Sequence, residues 1–259
     1  MAETRIRLSV EGSIATITLS RADKLNALDL DMLSELSVVL DRVEADSAVR
    51  VVILTGEGKA FSAGGDIAAW GGMQAQEFGH HWVRHGHRIF DRLATLRMPV
   101  IAAMNGHALG GGLELAGAAD IRIAERQAKI GLPETSLGMV PGWSGTQRLV
   151  RRFGAQIVRR MVVGGEMFTT EEARLHGLVD HVVDTGEALK AAKDYAARIA
   201  ARGPAAVEIS KLMLSIASGE DNGAAVEALG SILVAKTGDL KEGVSAFKEK
   251  RAAHFKGEW

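Results

Sequence analysis

The chain has 259 residues, 47% of them hydrophobic and 24% charged, so it is long enough for one main domain with a smaller appendage and a sizeable core. Its formal net charge of -1 excludes a general attraction to nucleic acid or to anionic membranes. Because it contains no cysteine, disulfides, thiolate nucleophiles and thiolate metal sites are excluded as well.

The first third of the chain predicts a hairpin, a helix and a buried strand. Apolar and polar residues alternate over 5–10 and 14–19, on either side of a short turn, which is typical of a β-hairpin. Asp29 can cap a helix whose apolar residues recur every three or four positions between residues 30 and 43. The apolar run 49–54 predicts a strand buried on both faces, as in a parallel sheet.

Two glycine-rich loops each follow a predicted strand and lead into a helix. The first contains Gly64 and Gly65, and the second contains the triplet Gly110, Gly111 and Gly112. Glycine lets the backbone approach a neighbour closely and adopt unusual φ values. If the two units lie side by side, one N–H group from each could form an oxyanion hole. Either loop alone is also compatible with an ordinary strand-to-helix turn.

Two glutamates accompany these loops. Glu114 lies in the first turn of the helix after the triplet, and Glu134 follows Pro133 twenty positions later. A pair of carboxyl groups around one water can divide proton transfer when their environments separate their pKa values. With an oxyanion hole, they suit proton addition or removal at the α-carbon of a thioester or a similar carbonyl compound, through an enolate. Alone, Glu114 could be a favourable charge near a helix N-terminus and Glu134 a surface carboxylate.

The rest of the chain predicts more helix than strand. Helical regions are expected over 73–96, 146–153 and 156–163, strands over 120–125 and 178–183, and a capping box at Thr169 with Glu172. Beyond residue 186 only helical periods remain. We therefore place a boundary near residue 190, with an α/β core that holds the active site over 1–190 and a helical region over 191–259.

Common cofactor motifs are absent. No lysine follows the glycine triplet as a P-loop requires, and Leu115 stands where a dinucleotide-binding loop needs its third glycine. The run at Gly142 lacks the last glycine of a nucleophile elbow, so a serine hydrolase is unsupported. His81 and His85 are four residues apart but have no third ligand of fixed spacing, so we expect no metal site.

Five segments in order resemble the crotonase superfamily, and within it the enoyl-CoA hydratases. They are residues 61–67, 105–116, 131–134, 141–149 and 242–251. The resemblance implies an α/β fold, a spiral core of repeated ββα units, with a helical C-terminal region used for trimerisation and often a dimer of trimers. It also implies an acyl-CoA thioester as substrate and no separate cofactor, because coenzyme A is part of the substrate.

The resemblance also implies roles for individual residues. Gly65 and Gly111 match the oxyanion-hole positions, Glu114 the residue that activates water, and Glu134 the proton donor to the α-carbon. Gly142 matches a glycine near the catalytic water. The residues expected to contact the CoA moiety are Lys24, Ala27, Ala63, Asp66 and Ile67. Lys250 is a weaker candidate for contact with its phosphates.

Two departures from the family pattern concern the pocket. Trp143 and Ser144 stand where small residues usually follow the Pro-Gly pair, so the indole either shortens or reshapes the acyl pocket or turns away and packs. His107 also differs from the family pattern, and we expect it to be packed or hydrogen-bonded rather than catalytic. These departures affect the choice of acyl group and leave the thioester chemistry intact.

Retention of both glutamates favours a hydratase that adds water reversibly, and syn, to a 2-enoyl-CoA in fatty acid metabolism. The alternatives are an enoyl-CoA isomerase, an aromatic acyl-CoA hydratase-lyase, a subunit of a larger β-oxidation complex, and a non-catalytic or RNA-binding homologue. Five arginines between residues 148 and 160 could form a local basic face for RNA, although a solvated face or a subunit contact explains them better. With no apolar run of membrane-spanning length and no signal-peptide core, we expect a cytoplasmic protein without membrane or nucleic-acid partners.

Overall fold

The structure is a computed structural model that describes residues 4–221 and 223–257. Its strands are β1 (Ile6–Glu11), β2 (Ile14–Leu19), β3 (Val51–Gly56), β4 (Ala60–Ser62), β5 (Val100–Met104), β6 (His107–Leu109), β7 (Ile121–Glu125), β8 (Lys129–Gly131), β9 (Met167–Thr169) and β10 (His181–Val183). Its α-helices are α1 (Leu30–Ala45), α2 (Ile67–Trp70), α3 (Ala75–Glu77), α4 (Arg84–Ala94), α5 (Gly111–Ala116), α6 (Arg148–Phe153), α7 (Ala155–Val162), α8 (Thr170–Leu175), α9 (Ala188–Ala200), α10 (Pro204–Ala217), α11 (Ala224–Val234) and α12 (Gly238–Glu249). A π-helix spans Phe78–Val83, and 3₁₀ turns span Ala22–Lys24 and Glu134–Leu137.

Three successive segments repeat one order: a strand in a large sheet, a short strand in a small sheet, and a helical turn. In the described residues the larger sheet has the order β1-β2-β3-β5-β7-β10 and the smaller one β4-β6-β8-β9. The helical turns that follow β4, β6 and β8 are α2, α5 and Glu134–Leu137. This confirms the predicted spiral of ββα units. Because the repeats stack in parallel, the loops that precede the three helical turns also lie next to one another.

The core lies on both faces of the larger sheet. The N-terminal hairpin is confirmed, with β1 and β2 antiparallel, and β2, β3, β5, β7 and β10 follow in parallel. The Asp29 side chain accepts a hydrogen bond from the Met32 N–H group at 2.9 Å and so caps α1, as predicted. The apolar face of α1 is fully buried on one side, and three alanines of α9 pack against β3, β5 and β7 on the other.

Several predicted boundaries differ from the structure. The expected helix over 73–96 is divided into α3, the π-helix and α4, and the strand over 178–183 is reduced to β10. Leu178 and Val179 are buried without joining the sheet. The capping box is confirmed, because Thr169 and Glu172 exchange hydrogen bonds at the start of α8.

The chain divides into two compact units, one that ends at Glu208 and one that begins at Ile209. The predicted boundary near residue 190 lies at the start of α9, whose alanines pack on the sheet of the first unit. In the second unit, Arg251 forms ion pairs with Glu242 and Glu249 across the last turns of α12. No helix in the described residues combines the length and the apolar character needed to cross a membrane.

Candidate active site

A cleft of about 590 Å³ lies where the loops before the three helical turns meet. Each repeat contributes one part: Gly65 precedes α2, Gly111 begins α5, and Glu134 begins the 3₁₀ turn. Glu114, one turn into α5, also lines the cleft. The structure therefore brings together the four residues predicted to perform the chemistry.

The two glycine loops approach each other too closely for side chains. A Cβ on Gly64, whose φ is +98°, would lie 2.8 Å from the Leu109 carbonyl oxygen, and a Cβ on Gly112 would lie 2.2 Å from the Ser62 carbonyl oxygen. Gly65 and Gly111 are neighbours in this contact, because the Gly65 nitrogen lies 3.4 Å from the position of a Cβ on Gly111. Within the described part of the chain, neither the Gly65 nor the Gly111 N–H group donates a hydrogen bond. Two free donors on neighbouring repeats are the arrangement that an oxyanion hole needs.

Glu114 is held by the backbone of the segment after Pro141. Its side chain is 2% exposed, and its Oε1 atom accepts hydrogen bonds from the N–H groups of Trp143 at 2.8 Å and Gly145 at 2.6 Å. A Cβ on Gly145 would lie 2.8 Å from this oxygen, so a larger residue would displace the carboxylate. The two donors fix the orientation of the Glu114 carboxyl group.

The Glu134 carboxyl group differs from that of Glu114 in having no hydrogen-bond donor to hold it among the described residues. Both of its carboxyl oxygens are buried, and neither has a hydrogen-bond partner among the described residues. Its Oε1 atom lies 3.1 Å from the position of a Cβ on Gly110, whose φ is +52°, so glycine makes room for this carboxyl group. A buried carboxyl group without a partner favours its neutral, protonated form, which can donate a proton.

The pKa values of both carboxyl groups follow from these surroundings. Burial, followed by the neighbouring Glu134 carboxyl group, raises the pKa of Glu114 to about 7, although the Trp143 and Gly145 N–H groups oppose the rise. Burial also raises the pKa of Glu134 above its ordinary value. Glu114 can thus exchange protons near neutral pH, and Glu134 keeps its proton to a higher pH than an ordinary glutamate, as general acid–base chemistry requires.

Trp143 forms the floor below the glycine loops. Its ring atoms Cε3 and Cζ3 lie 2.7 Å from the position of a Cβ on Gly111, and Cη2 lies 3.5 Å from that of Gly65. The indole is 3% exposed and packs against Trp82 and Phe90 with ring centroids 5.1 and 5.2 Å away. The indole therefore packs into the core and also lines the cleft, and its effect on the length of the acyl pocket stays a prediction.

The segments predicted to bind CoA form one continuous strip. The Leu28 N–H group donates to the Gly64 carbonyl oxygen at 2.7 Å, and the Asp66 N–H group donates to the Leu28 carbonyl oxygen at 2.7 Å. This places the segment of Lys24 and Ala27 beside the segment of Ala63, Asp66 and Ile67. Lys24 and Ile67 are exposed.

Arg21 joins the two segments of this strip. Its guanidinium lies 2.7 Å from the Asp66 carboxylate and donates to the Ala27 carbonyl oxygen at 2.9 Å. Asp66 also caps α2 through the Ala68 N–H group at 3.0 Å. The Asp66 carboxylate is thus engaged in holding the strip together.

Other predicted residues lie in different settings. Gly142 lines the cleft beside Val83. Lys250 ends α12 in the second unit with a φ of 53°, and its phosphate contact stays a prediction. The His107 Nδ1 atom accepts a hydrogen bond from the Lys129 N–H group at 2.9 Å, which agrees with the non-catalytic role expected for it. The described residues contain no group of three histidine, aspartate or glutamate side chains that could hold a metal ion.

A polar network beside Glu114 was not foreseen. Ser144, which is 4% exposed and has a φ of 87°, places its Oγ atom 3.1 Å from His87 Nδ1. His87 Nε2 lies 3.1 Å from the Asp91 carboxylate, which also pairs with Arg148. The spacing of four residues between His87 and Asp91 was a signal for their contact, but nothing in the sequence indicated that Ser144 would reach them.

The proposed basic face for RNA is weakened by contacts within the chain. Arg148, Arg152 and Arg160 each bind an acceptor of this protein. Arg151 and Arg159 are exposed. Of the five arginines considered for this face, the two exposed ones therefore lie on separate short helices, α6 and α7.

The chain is similar to known proteins over nearly its whole length. Residues 9–258 match the family model described as enoyl-CoA hydratase/isomerase. The chain is 41% identical to a short-chain-enoyl-CoA hydratase of Clostridium acetobutylicum, covering 94% of each, and 40% identical to a crotonyl-CoA hydratase of Syntrophomonas wolfei, covering 98% of this chain and 99% of that one. A crystal structure of an enoyl-CoA hydratase from Bacillus anthracis superposes with a TM-score of 0.81 at 38% identity, over 98% of this chain and 100% of the other.

Proposed function

The chain belongs to the enoyl-CoA hydratase/isomerase family, and on that basis we propose that it is an enoyl-CoA hydratase. It adds water reversibly to a 2-enoyl-CoA thioester and forms the 3-hydroxyacyl-CoA. The observation that carries this proposal is the pair of buried carboxyl groups, Glu114 and Glu134, beside the free N–H groups of Gly65 and Gly111. Such a site needs no separate cofactor, because the thioester of CoA already activates the double bond.

In this mechanism the thioester carbonyl oxygen accepts hydrogen bonds from the Gly65 and Gly111 N–H groups. These bonds strengthen as negative charge develops on the oxygen, so they lower the energy of the enolate more than that of the substrate. Because the donors belong to the main chain, no side chain has to move during the reaction. The carbonyl oxygen, the α-carbon and the β-carbon are thereby positioned relative to the two carboxyl groups.

The two glutamates divide the proton transfers. Glu114, ionised and held by two N–H donors, takes a proton from water as the water oxygen bonds to the β-carbon. The electrons of the double bond move to the thioester oxygen, and Glu134, protonated in its partnerless site, donates its proton to the α-carbon as the enolate collapses. The water held by Glu114 and the proton of Glu134 reach the β-carbon and the α-carbon from the same face of the double bond, so we propose syn addition. Proton exchange with solvent then restores the two carboxyl groups.

The remaining proposals concern the substrate's carrier and the assembly. We place the CoA moiety along the strip of Lys24, Ala27, Ala63 and Ile67, which the Arg21–Asp66 ion pair holds in position. Lys250 is proposed to contact its phosphates. We propose that the protein forms a homotrimer, or a dimer of trimers, through its helical C-terminal region. We also propose that it acts in fatty acid β-oxidation in the cytoplasm.

The test is the loss of the conjugated enoyl-thioester absorbance with crotonyl-CoA, longer 2-enoyl-CoAs and aryl acyl-CoAs. We expect activity in the wild type and a loss of about 10²–10⁴-fold in both Glu114→Gln and Glu134→Gln, the range typical of general acid–base groups. The matched control is Glu77→Gln at an exposed position outside the cleft, which should retain wild-type activity.

Two outcomes would refute the proposal. If one of the two glutamine variants keeps full activity toward an enoyl-CoA, a single carboxyl group is sufficient and an isomerase becomes the better assignment. If no thioester of the series is hydrated although CoA thioesters bind, the hydratase assignment is wrong, and isomerase and lyase assays follow.

A further inference from the structure

One wall of the cleft is strongly basic. It consists of the first turns of α4, where Arg84, His87 and Arg88 line the cleft. The sequence between Glu77 and Asp91 contains no acidic residue but four histidines and two arginines. Arg84 and Arg88 are four residues apart and therefore share one face of the helix, with His87 beside them.

The charges of the two arginines are not compensated within the chain. Among the described residues, neither guanidinium forms an ion pair or a side-chain hydrogen bond. The next carboxylate along the helix, Asp91, is occupied by His87 and Arg148. In agreement with an unneutralised positive field, burial and then the charges of Arg88 and His81 lower the pKa of His85.

The position of this wall relative to the reacting atoms identifies the part of the substrate that would reach it. The carbonyl oxygen belongs at Gly65 and Gly111, and the CoA moiety at the strip that begins with Ala63. The β-carbon belongs near Glu114, whose carboxylate is held by the backbone of residues 143–145.

Helix α4 packs directly on that backbone segment. A Cβ on Gly86 would lie 2.3 Å from Trp143 Nε1, and His87 Nδ1 lies 3.1 Å from Ser144 Oγ. The cleft that contains Glu114 extends to Arg84, His87 and Arg88 of α4, so an acyl chain that continues past the β-carbon can reach them. Trp143 limits the space below it.

We propose that Arg84 and Arg88 form a subsite for an anionic group, and that this group is a carboxylate at the far end of the acyl chain. The proposal rests on the hydratase function and specifies its substrate class: 2-enoyl-CoA thioesters that carry a distal carboxylate. An exposed, preformed pair of guanidinium groups matches the planar geometry of a carboxylate and discriminates against an alkyl end, which would leave both charges without a partner. The phosphates of CoA share this chemistry and are the alternative source of the anion.

The experiment compares two acyl tails with the same number of non-hydrogen atoms. One is 4-carboxybut-2-enoyl-CoA, and the other is 5-methylhex-2-enoyl-CoA, in which an isopropyl group replaces the carboxylate. The readout is the ratio of their kcat/KM values in the wild type, in Arg84→Gln, in Arg88→Gln and in the double variant. We expect the ratio to fall at least about tenfold in the double variant, as for the loss of a charge-assisted hydrogen bond. The control Arg42→Gln, at an exposed position of α1 outside the cleft, should keep the wild-type ratio.

Binding of the saturated thioesters, measured by calorimetry, separates failure of this proposal from failure of the hydratase assignment. If 4-carboxybutanoyl-CoA binds more tightly than 5-methylhexanoyl-CoA and the double variant loses that preference, the subsite stands even without turnover. If the arginine substitutions leave the ratio unchanged, the proposal is refuted. The proposal is also refuted if the arginine substitutions weaken the binding of CoA thioesters with either tail but leave the binding of the corresponding pantetheine thioesters unchanged. The arginines would then bind the phosphates of the CoA nucleotide.

Discussion

Burial of Glu114 should make the protein less stable as the pH rises through neutrality. Its pKa is raised from an ordinary value of 4.5 to about 7, first by burial and then by Glu134. The raised folded-state value means that its contribution to stability is complete below about pH 4.5 and is lost as the pH rises through about 7. A difference of about 2.5 between the folded and unfolded pKa values corresponds to about 3 kcal/mol, and the linkage relation assigns about 2 kcal/mol of it to the interval from about pH 5.5 to about pH 8.5.

The variant Glu114→Gln removes this titration while keeping the local contacts. The carbonyl oxygen of glutamine can still accept the hydrogen bonds of the Trp143 and Gly145 N–H groups. We therefore expect the free energy of unfolding of the variant, relative to the wild type, to increase by about 2 kcal/mol between about pH 5.5 and about pH 8.5. The catalytic carboxyl group thus destabilises the fold at the pH at which it works, a known cost of active sites.

Urea unfolding followed by tryptophan fluorescence, at fixed protein concentration and at both pH values, measures this difference. The difference in unfolding free energy between variant and wild type, compared at the two pH values, cancels the titrating groups that do not interact with Glu114. What remains is the titration of Glu114 together with its coupling to Glu134. The exposed Glu77→Gln variant is the control and should parallel the wild type at both pH values. A difference between Glu114→Gln and the wild type that stays constant with pH would show that the carboxyl group of Glu114 titrates normally, and it would refute the conclusion that burial raises its pKa.

The fold was predictable from the sequence wherever the signal was local. The hairpin, the Asp29 cap and the capping box at Thr169 each depend on residues within a few positions of one another. The third ββα repeat was not recognised, because Leu132 and Pro133 precede its helical turn where the other two repeats have a glycine-rich loop. Its three-residue strand β8 becomes visible as part of a repeat through its pairing with β6 of the preceding repeat.

The candidate site was predictable in its residue types but not in its surroundings. Glycine loops and glutamates can be identified in a sequence, since glycine alone permits the close approach that Gly64 and Gly111 make. The direction of the Trp143 ring and the contact of Ser144 with His87 depend on tertiary packing and on a positive φ at a serine, which no local pattern indicates. Side-chain direction is the information that a single sequence lacks.

Two further predictions concern the segment that holds Glu114. Trp143→Ala should move the preferred 2-enoyl-CoA toward longer chains and lower the free energy of unfolding by about 3–5 kcal/mol. Trp143→Phe keeps an aromatic ring and should change both the chain-length preference and the stability less. An unaltered chain-length profile in the alanine variant would mean that the indole does not limit the acyl pocket. Ser144→Ala loses the hydrogen bond to His87 but keeps a side chain at a φ of 87°, so urea unfolding should show a loss of about 1 kcal/mol. Ser144→Gly loses the same bond and gains about 1 kcal/mol or more from release of backbone strain, so it should be close to the wild type, and equal stabilities of the alanine and glycine variants would refute the view that the hydroxyl group offsets strain at this position.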